Sequence, residues 1–275
     1  MIDLQGKSVL ITGGTRGLGK AIGFEFARAG AVVFLTYRWG SVSINDLVDE
    51  FQAAGLAAPY VVECDASDTE ATAELMTLIK EKTGRLDCIV SNVAFSKVIH
   101  ELSDLKRSTL ELSLGYSAWP LIELIQAAQI AFGRFPKYVI GISSDGGEVC
   151  HDGYDAAGIS KAVLETLCRY LALRLKAQGV RVNAVRPGFF DTASSRATFG
   201  DDVIEAAQKQ ARGIFLEPSS VGQVCLALCS GLMDAVTGQV IVVDEGWSLV
   251  SPLAYLTGRG LPGEFPLSTE DGSAC

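Results

Sequence analysis

Along this chain, short apolar runs alternate with longer stretches whose apolar residues recur at helical spacing. Ser8-Val9-Leu10-Ile11-Thr12 is the first run, and it ends in a glycine cluster. Residues 17–29 follow, with Leu18, Ile22, Phe26 and Ala29 on one helical face. Further apolar runs lie at 31–36, 60–64, 87–91, 138–142, 180–185 and 240–243. Helical patterns fall between them at about 43–54, 68–83, 104–132, 155–178, 201–212 and 219–230. Pro120 stands inside the 104–132 stretch and should kink or break it, because its ring removes one helix hydrogen bond. Gly179 ends the 155–178 stretch.

Continuous apolar runs are those of strands buried on both faces. Alternating with helices, they predict an α/β fold with a parallel sheet between two helical layers. No composition break marks a linker before residue 250, so residues 1–250 read as one domain. Residues 251–275 hold Pro, Gly, Ser and Thr with weak periodicity, and read as a C-terminal tail or a segment packed on another subunit.

Charge and cysteine usage narrow the function. Twenty-three basic against 32 acidic residues leave a net charge of −9, which argues against a nucleic-acid partner. Seven cysteines lie without C-x-x-C spacing, and Cys64, Cys88, Cys168 and Cys225 sit in apolar runs, as buried reduced thiols do. The two histidines, His100 and His151, lack ligand spacing, so no metal site is expected. The first residues lack a signal-peptide pattern, and no apolar run reaches the roughly 18 residues of a membrane span. The expected setting is cytoplasmic, with no membrane partner.

Candidate chemistry begins at Thr12-Gly13-Gly14-Thr15-Arg16-Gly17-Leu18-Gly19, between the first predicted strand and helix. Glycines there allow a pyrophosphate to approach the backbone, and the helix N-terminus offers free N–H groups. The spacing G-x-x-x-G-x-G resembles that of the short-chain dehydrogenase/reductase superfamily over about residues 5–250. The resemblance implies a single Rossmann-type, doubly wound domain with a seven-stranded parallel sheet, binding a nicotinamide cofactor at the carboxyl ends of its strands. It also implies cofactor contacts from Gly13, Thr15, Arg16, Gly17, Leu18 and Gly19 in the loop, and from Asp65 and Ala66 after the third strand. Further contacts are implied from Asn92, Val93 and Ala94 after the fourth strand, and from Pro187, Gly188 and Thr192 after the sixth. Ser91 and Ala94 depart from the superfamily's N-N-A-G, and Asp244-Glu245-Gly246 replaces its Asp-Gly-Gly.

At the end of the second strand stands Thr36-Tyr37-Arg38, where NAD-specific members carry an acid. A guanidinium pairs with a 2′-phosphate, so Arg38 and Arg16 predict NADPH; the alternative is that both are solvated.

The superfamily's catalytic lysine maps to Lys161, yet Ala157 occupies the usual tyrosine position four residues earlier. Tyr154 lies seven residues before Lys161, which returns it to within about 20° of the same helix face. This Tyr-x6-Lys arrangement resembles the enoyl-acyl carrier protein reductases. The stretch 154–165, together with Arg169-Tyr170-Leu171-Ala172 and Gly238–Asp244, is similar to the NADPH-using type III enzymes. Ser144, 17 residues before Lys161, sits where ketoreductases and type III enzymes carry a serine; it either contacts substrate or bonds within its loop. The usual tetrad asparagine is replaced by Ser113.

The resemblance implies reduction of a trans-2-enoyl thioester on acyl carrier protein or coenzyme A. Tyr154 would stabilise the enolate, and Lys161 would hold the nicotinamide ribose. Phe189, Phe190, Ile214, Phe215 and Leu216, in the substrate loop at about 189–216, line an acyl channel or simply pack. Arg196, Lys209 and Arg212 contact a carrier or form a solvated face. A homodimer or homotetramer on the long helices is implied as well. Two alternatives stay open: a short-chain reductase of another carbonyl or alkene, such as a 3-ketoacyl thioester, and an inactive NADP-binding protein.

Overall fold

A computed structural model describes residues 2–39, 43–210 and 214–251. Seven strands form one sheet: β1 (Ser8–Ile11), β2 (Val32–Tyr37), β3 (Tyr60–Glu63), β4 (Cys88–Ser91), β5 (Tyr138–Ile142), β6 (Arg181–Pro187) and β7 (Val240–Val243). Their order is β3-β2-β1-β4-β5-β6-β7, and every pairing is parallel. The helices are α1 (Gly17–Arg28), α2 (Ile44–Ala53), α3 (Thr69–Thr83), α4 (Arg107–Ser117), α5 (Pro120–Phe132), α6 (Asp155–Arg174), α7 (Ala193–Phe199), α8 (Asp201–Gln210) and α9 (Pro218–Leu228). The predicted 104–132 stretch is therefore two helices. Pro120 does not kink a helix but starts one, at the first position of α5, where its missing N–H leaves nothing unsatisfied.

Alternation along each strand decides which helices it meets. Val9 and Ile11 point into a core shared with Ile22 and Phe26 of α1, Leu47 and Phe51 of α2, and Val221, Cys225 and Leu228 of α9. Leu10, between them, faces the other way. It packs with Leu75, Met76 and Ile79 of α3 and Leu124 of α5. On that second face the register aligns Phe34, Leu10, Ile89, Val139 and Val182 in one row across five strands. Leu164 and Cys168 of α6 cover its far end. Burial of these fully enclosed side chains contributes roughly 1.5–3 kcal/mol each before the entropy of ordering is deducted.

Cys64, Cys88, Cys168, Cys225 and Cys229 are buried free thiols, while Cys150 is exposed. Burial pushes the Cys168 and Cys225 thiols up to about 12, which makes them packing groups and not nucleophiles. Glu245, where glycine is usual, sits at φ 53°, the left-handed region that costs a side-chain-bearing residue about 1–2 kcal/mol. No helix among the described residues is long and apolar enough to cross a membrane. The predicted tail from 252 onwards lies outside the described residues.

Candidate active site

Chain order reverses at β1, which lies between β2 and β4. A cleft opens there, beyond the carboxyl ends of the strands, as doubly wound sheets require. Its volume is about 620 Å3, within the usual range for a small-molecule site.

The loop after β1 forms one wall. Thr12 is its anchor: the Thr12 hydroxyl accepts from the Asn92 and Val93 backbone N–H groups at 3.0 and 3.1 Å. The Asn92 amide returns two bonds, to the Thr12 and Gly13 carbonyls at 2.9 and 3.1 Å. The loop is thereby clamped to β4. A Cβ at Gly19 would stand 2.3 Å from the Gly13 carbonyl oxygen, so glycine alone lets α1 begin this close to the turn. No side chain caps the first turn of α1. The turn, the bare backbone and the helix N-terminus fit a pyrophosphate.

Beyond that loop lies a charged and aromatic end. Arg38 is ion-paired with Asp65, donates to the Tyr116 hydroxyl at 3.3 Å, and lies over the Trp39 ring at 4.5 Å. Tyr116 donates in turn to Asp65 at 3.4 Å. Trp39, Phe95 and Tyr116 contact one another at 5.4–5.7 Å between ring centres. Arg16 and Arg38 both line the cleft.

The opposite end is built by β5, the segment after it, and the start of α6. Tyr154 is the N-cap of α6, and Lys161 lies two turns on. Both line the cleft, and so does Ala157 between them. Lys161 is buried; its ammonium donates to the Ile142 carbonyl at 2.7 Å. Desolvation lowers its pKa to about 8, partly countered by Glu165 one turn further along α6. Glu165 is itself held: it accepts the Ser143 hydroxyl at 2.7 Å and both arms of Arg186 at 2.9 and 2.8 Å. Burial raises the Tyr154 pKa, the neighbouring Ser144 hydroxyl pulls it back, and Asp145 pushes it up further. A Cβ at Gly146 would stand 2.5 Å from the Tyr154 ring, so glycine is what lets this segment lie on the phenol.

The sequence profile of the enoyl-(acyl carrier protein) reductase family matches residues 13–248. The chain belongs to that family. Its members are oxidoreductases of the short-chain dehydrogenase/reductase type, and the chain is similar to several at modest identity. The NADH enoyl-[acyl-carrier-protein] reductase of Aquifex aeolicus is 29% identical over 254 residues, covering 90% of this chain and 93% of that one. The 1-cyclohexenylcarbonyl-CoA reductase of Streptomyces collinus is 29% identical over 247 residues, covering 88% and 87%. The crystal structure of the Bacillus cereus enoyl-acyl carrier protein reductase with NADP+ and indole naphthyridinone superposes with a TM-score of 0.79. It is 25% identical and covers 91% of this chain and 100% of its own.

For a member of this family, the predicted site residues fall in one place. Gly13, Thr15, Arg16, Gly17, Leu18, Gly19, Arg38, Ala66, Asn92, Val93, Ala94, Ser144, Tyr154, Lys161, Pro187, Gly188 and Thr192 all line the cleft. Asp65 does not. Its carboxylate is engaged by Arg38, Ser67 and Tyr116, and Arg38 and Tyr116 themselves line the cleft. Thr192 also caps α7, accepting from the Ser195 N–H at 3.2 Å. Ser113 donates to the Ala156 carbonyl at 3.0 Å, tying α4 to the start of α6.

The predicted acyl channel needs correction. Phe189 and Phe190 line the cleft, but Ile214, Phe215 and Leu216 do not. A parallel bridge ties Phe215 to Phe189, Ile214 and Phe215 are half-buried, and Leu216 joins the core with residues of α9. Phe199 of α7 takes their place on the wall. Arg196 lies at the surface and pairs with Asp191 and Asp201. Lys209 is exposed, and Arg212 lies outside the described residues. Sequence reasoning also passed over Trp39, Phe95, Tyr116, Asp145 and His151. Each is an ordinary loop or helix residue whose spacing carries no motif; the fold brings the first four to the cleft and sets His151 against Tyr154, Phe189 and Phe199 of its wall.

Proposed function

We propose that this protein reduces the carbon–carbon double bond of a trans-2-enoyl thioester, on acyl carrier protein or coenzyme A, with NADPH. The observation that carries the reading is that Tyr154 and Lys161 share one cleft while Ala157 leaves the ketoreductase tyrosine position without a hydroxyl. The loop wall would hold the pyrophosphate, and Lys161 the nicotinamide ribose hydroxyls. When bound, the reduced nicotinamide supplies hydride to the thioester's β-carbon. Tyr154 is kept protonated by its buried setting, so it donates a hydrogen bond to the thioester oxygen as negative charge develops there. The Lys161 ammonium adds positive potential in a site where burial limits solvent screening. Phe189, Phe190 and Phe199 offer an apolar wall for the acyl group.

Support for NADPH comes from Arg16 and Arg38 on the cleft and the lack of a carboxylate at the end of β2. The relatives point both ways, since the Aquifex aeolicus enzyme is named for NADH and the Bacillus cereus structure holds NADP+. We also propose a homodimer or homotetramer. Ile130 of α5 and Ile159, Tyr170 and Leu173 of α6 are exposed apolar or aromatic residues on the long helices that would meet a second copy.

Consumption of reduced cofactor tests the reading directly. Trans-2-enoyl and 3-ketoacyl thioesters of equal chain length are compared with NADPH and with NADH. Turnover of the enoyl substrate is expected, falling roughly 10²–10³-fold in Tyr154→Phe. Arg38→Ala should raise the KM for NADPH about tenfold and leave NADH unchanged, the loss of one charge-assisted contact. Turnover of the keto substrate alone would refute the assignment.

A further inference from the structure

His151 stands outside the motifs, yet the fold places it against the proposed catalytic phenol. Its ring meets Tyr154 edge-on at 6.1 Å, and it meets Phe189 and Phe199 at 5.5 and 5.7 Å. Its Nε2 lies 2.9 Å from Asp145 Oδ2. The other carboxylate oxygen, Oδ1, accepts the Ser144 hydroxyl at 3.0 Å, and Ser144 lies against Tyr154. Asp145 itself lines the cleft.

A carboxylate in that place is a liability for the reaction proposed above. Negative charge develops on the substrate oxygen at the Tyr154 hydroxyl, and a second negative charge nearby opposes it. Asp145 also makes the phenol a weaker hydrogen-bond donor by favouring its neutral form. A protonated imidazole 2.9 Å away cancels that charge.

We propose that His151 is a positioning residue which, in its protonated form, neutralises Asp145 and so keeps the Tyr154 hydroxyl a strong donor to the developing oxyanion. The proposal rests on the enoyl reductase reading for its catalytic meaning. The charge coupling itself does not.

The surroundings leave few rivals for this role. The segment after β5 brings Asp145 to the imidazole, the N-cap of α6 brings Tyr154, the loop after β6 brings Phe189, and α7 brings Phe199. Asp145 is the charged group among these, and Tyr154 the other that titrates. The chain neighbours Cys150 and Asp152 are exposed. Asp145 holds the imidazole pKa above its ordinary value, so the neutralised pair persists to higher pH than a lone histidine would allow.

Two readouts test the proposal on the full chain. The first needs no substrate. The near-ultraviolet band of Tyr154 is followed by difference against Tyr154→Phe, in wild type, His151→Gln and Asp145→Asn. The band should shift in wild type as the imidazole titrates and stay flat over the same range in His151→Gln, and in Asp145→Asn the midpoint of the shift should fall. The imidazole midpoint is read by NMR, with His100→Gln assigning the two histidine signals. The second readout is turnover. His151→Gln should lower kcat about tenfold with KM for the cofactor unchanged. Asp145→Asn/His151→Gln, which restores a neutral pair, should recover to within about threefold of wild type. His151→Phe keeps the ring packing and should still lose the tenfold, which separates charge from shape. A Tyr154 band that does not follow the imidazole overturns the proposal, whatever the substrate. A band that follows the imidazole, without enoyl turnover in the wild type, would refute the enoyl reductase reading and leave the coupling standing.

Discussion

The glycine-loop wall and the catalytic end of the cleft are built from different materials. Along the loop the groups facing the ligand space are mainly backbone, locked by Thr12 and Asn92 and packed through Gly19. At the catalytic end they are side chains, and their state depends on other side chains behind them. Lys161 answers to Glu165, Glu165 to Arg186 and Ser143, and Tyr154 to Ser144 and Asp145. A backbone wall has a fixed potential. A side-chain wall can be tuned, and it can also be detuned by a single substitution far from the substrate.

The sharpest way to break this contrast is at Gly19. Gly19→Val places atoms where the Gly13 carbonyl stands, so cofactor binding should fall by more than about a hundredfold, while Tyr154 titrates as before. Cofactor fluorescence titration and the phenol titration check both halves. An intact affinity would mean that the loop tolerates displacement.

At the other end, Glu165→Gln removes the bidentate carboxylate from Arg186 and leaves it the exposed Glu148 as ion partner. Arg186 and Glu165 side chains are 13% and 6% exposed, so the loss should be roughly 1.5–3 kcal/mol of stability, that of charge-assisted hydrogen bonds. Denaturant unfolding measures it. The effect should exceed that of any single substitution among the exposed ion pairs, such as Lys20–Glu50.

A gentler test is pH. Lys161 is an ammonium below about pH 8 and neutral above it, because burial favours the uncharged form. Activity should therefore fall about tenfold per unit on the alkaline side of that value. Tyr154, whose pKa is raised, stays protonated through the same range. Lys161→Met should be slower throughout and lack this limb. A limb that survives the substitution would assign it to another group.

The contrast also explains what could be read from the sequence. Strand runs such as Tyr138–Ile142 were legible because both faces of the sheet are covered there, leaving continuous apolar letters. The glycine loop was legible because backbone geometry demands particular residues at fixed spacing. Tyr154 and Lys161 were legible because one helix carries both. Asp145 and His151 were not, since their meaning lies in a contact between residues six apart in an irregular segment. Sequence order gave Asp65 its place after a strand, but not the partners of its carboxylate, Arg38 and Tyr116. Ile214, Phe215 and Leu216 could not be assigned because apolar residues suit a channel and a core equally well; in the fold Leu216 joins the core.

One further consequence concerns the making of the protein. α1, whose N-terminus forms the loop wall, packs in one core with α9, although the two lie almost at opposite ends of the chain. During synthesis β1 to β4 can associate early, because they are the first strands out and lie side by side. The apolar flank of α1 has no α9 to cover it until nearly the whole domain has left the ribosome. A nascent chain stalled before Pro218 would carry a nearly complete nucleotide loop on a helix with one bare side. That is where a folding chaperone would find it.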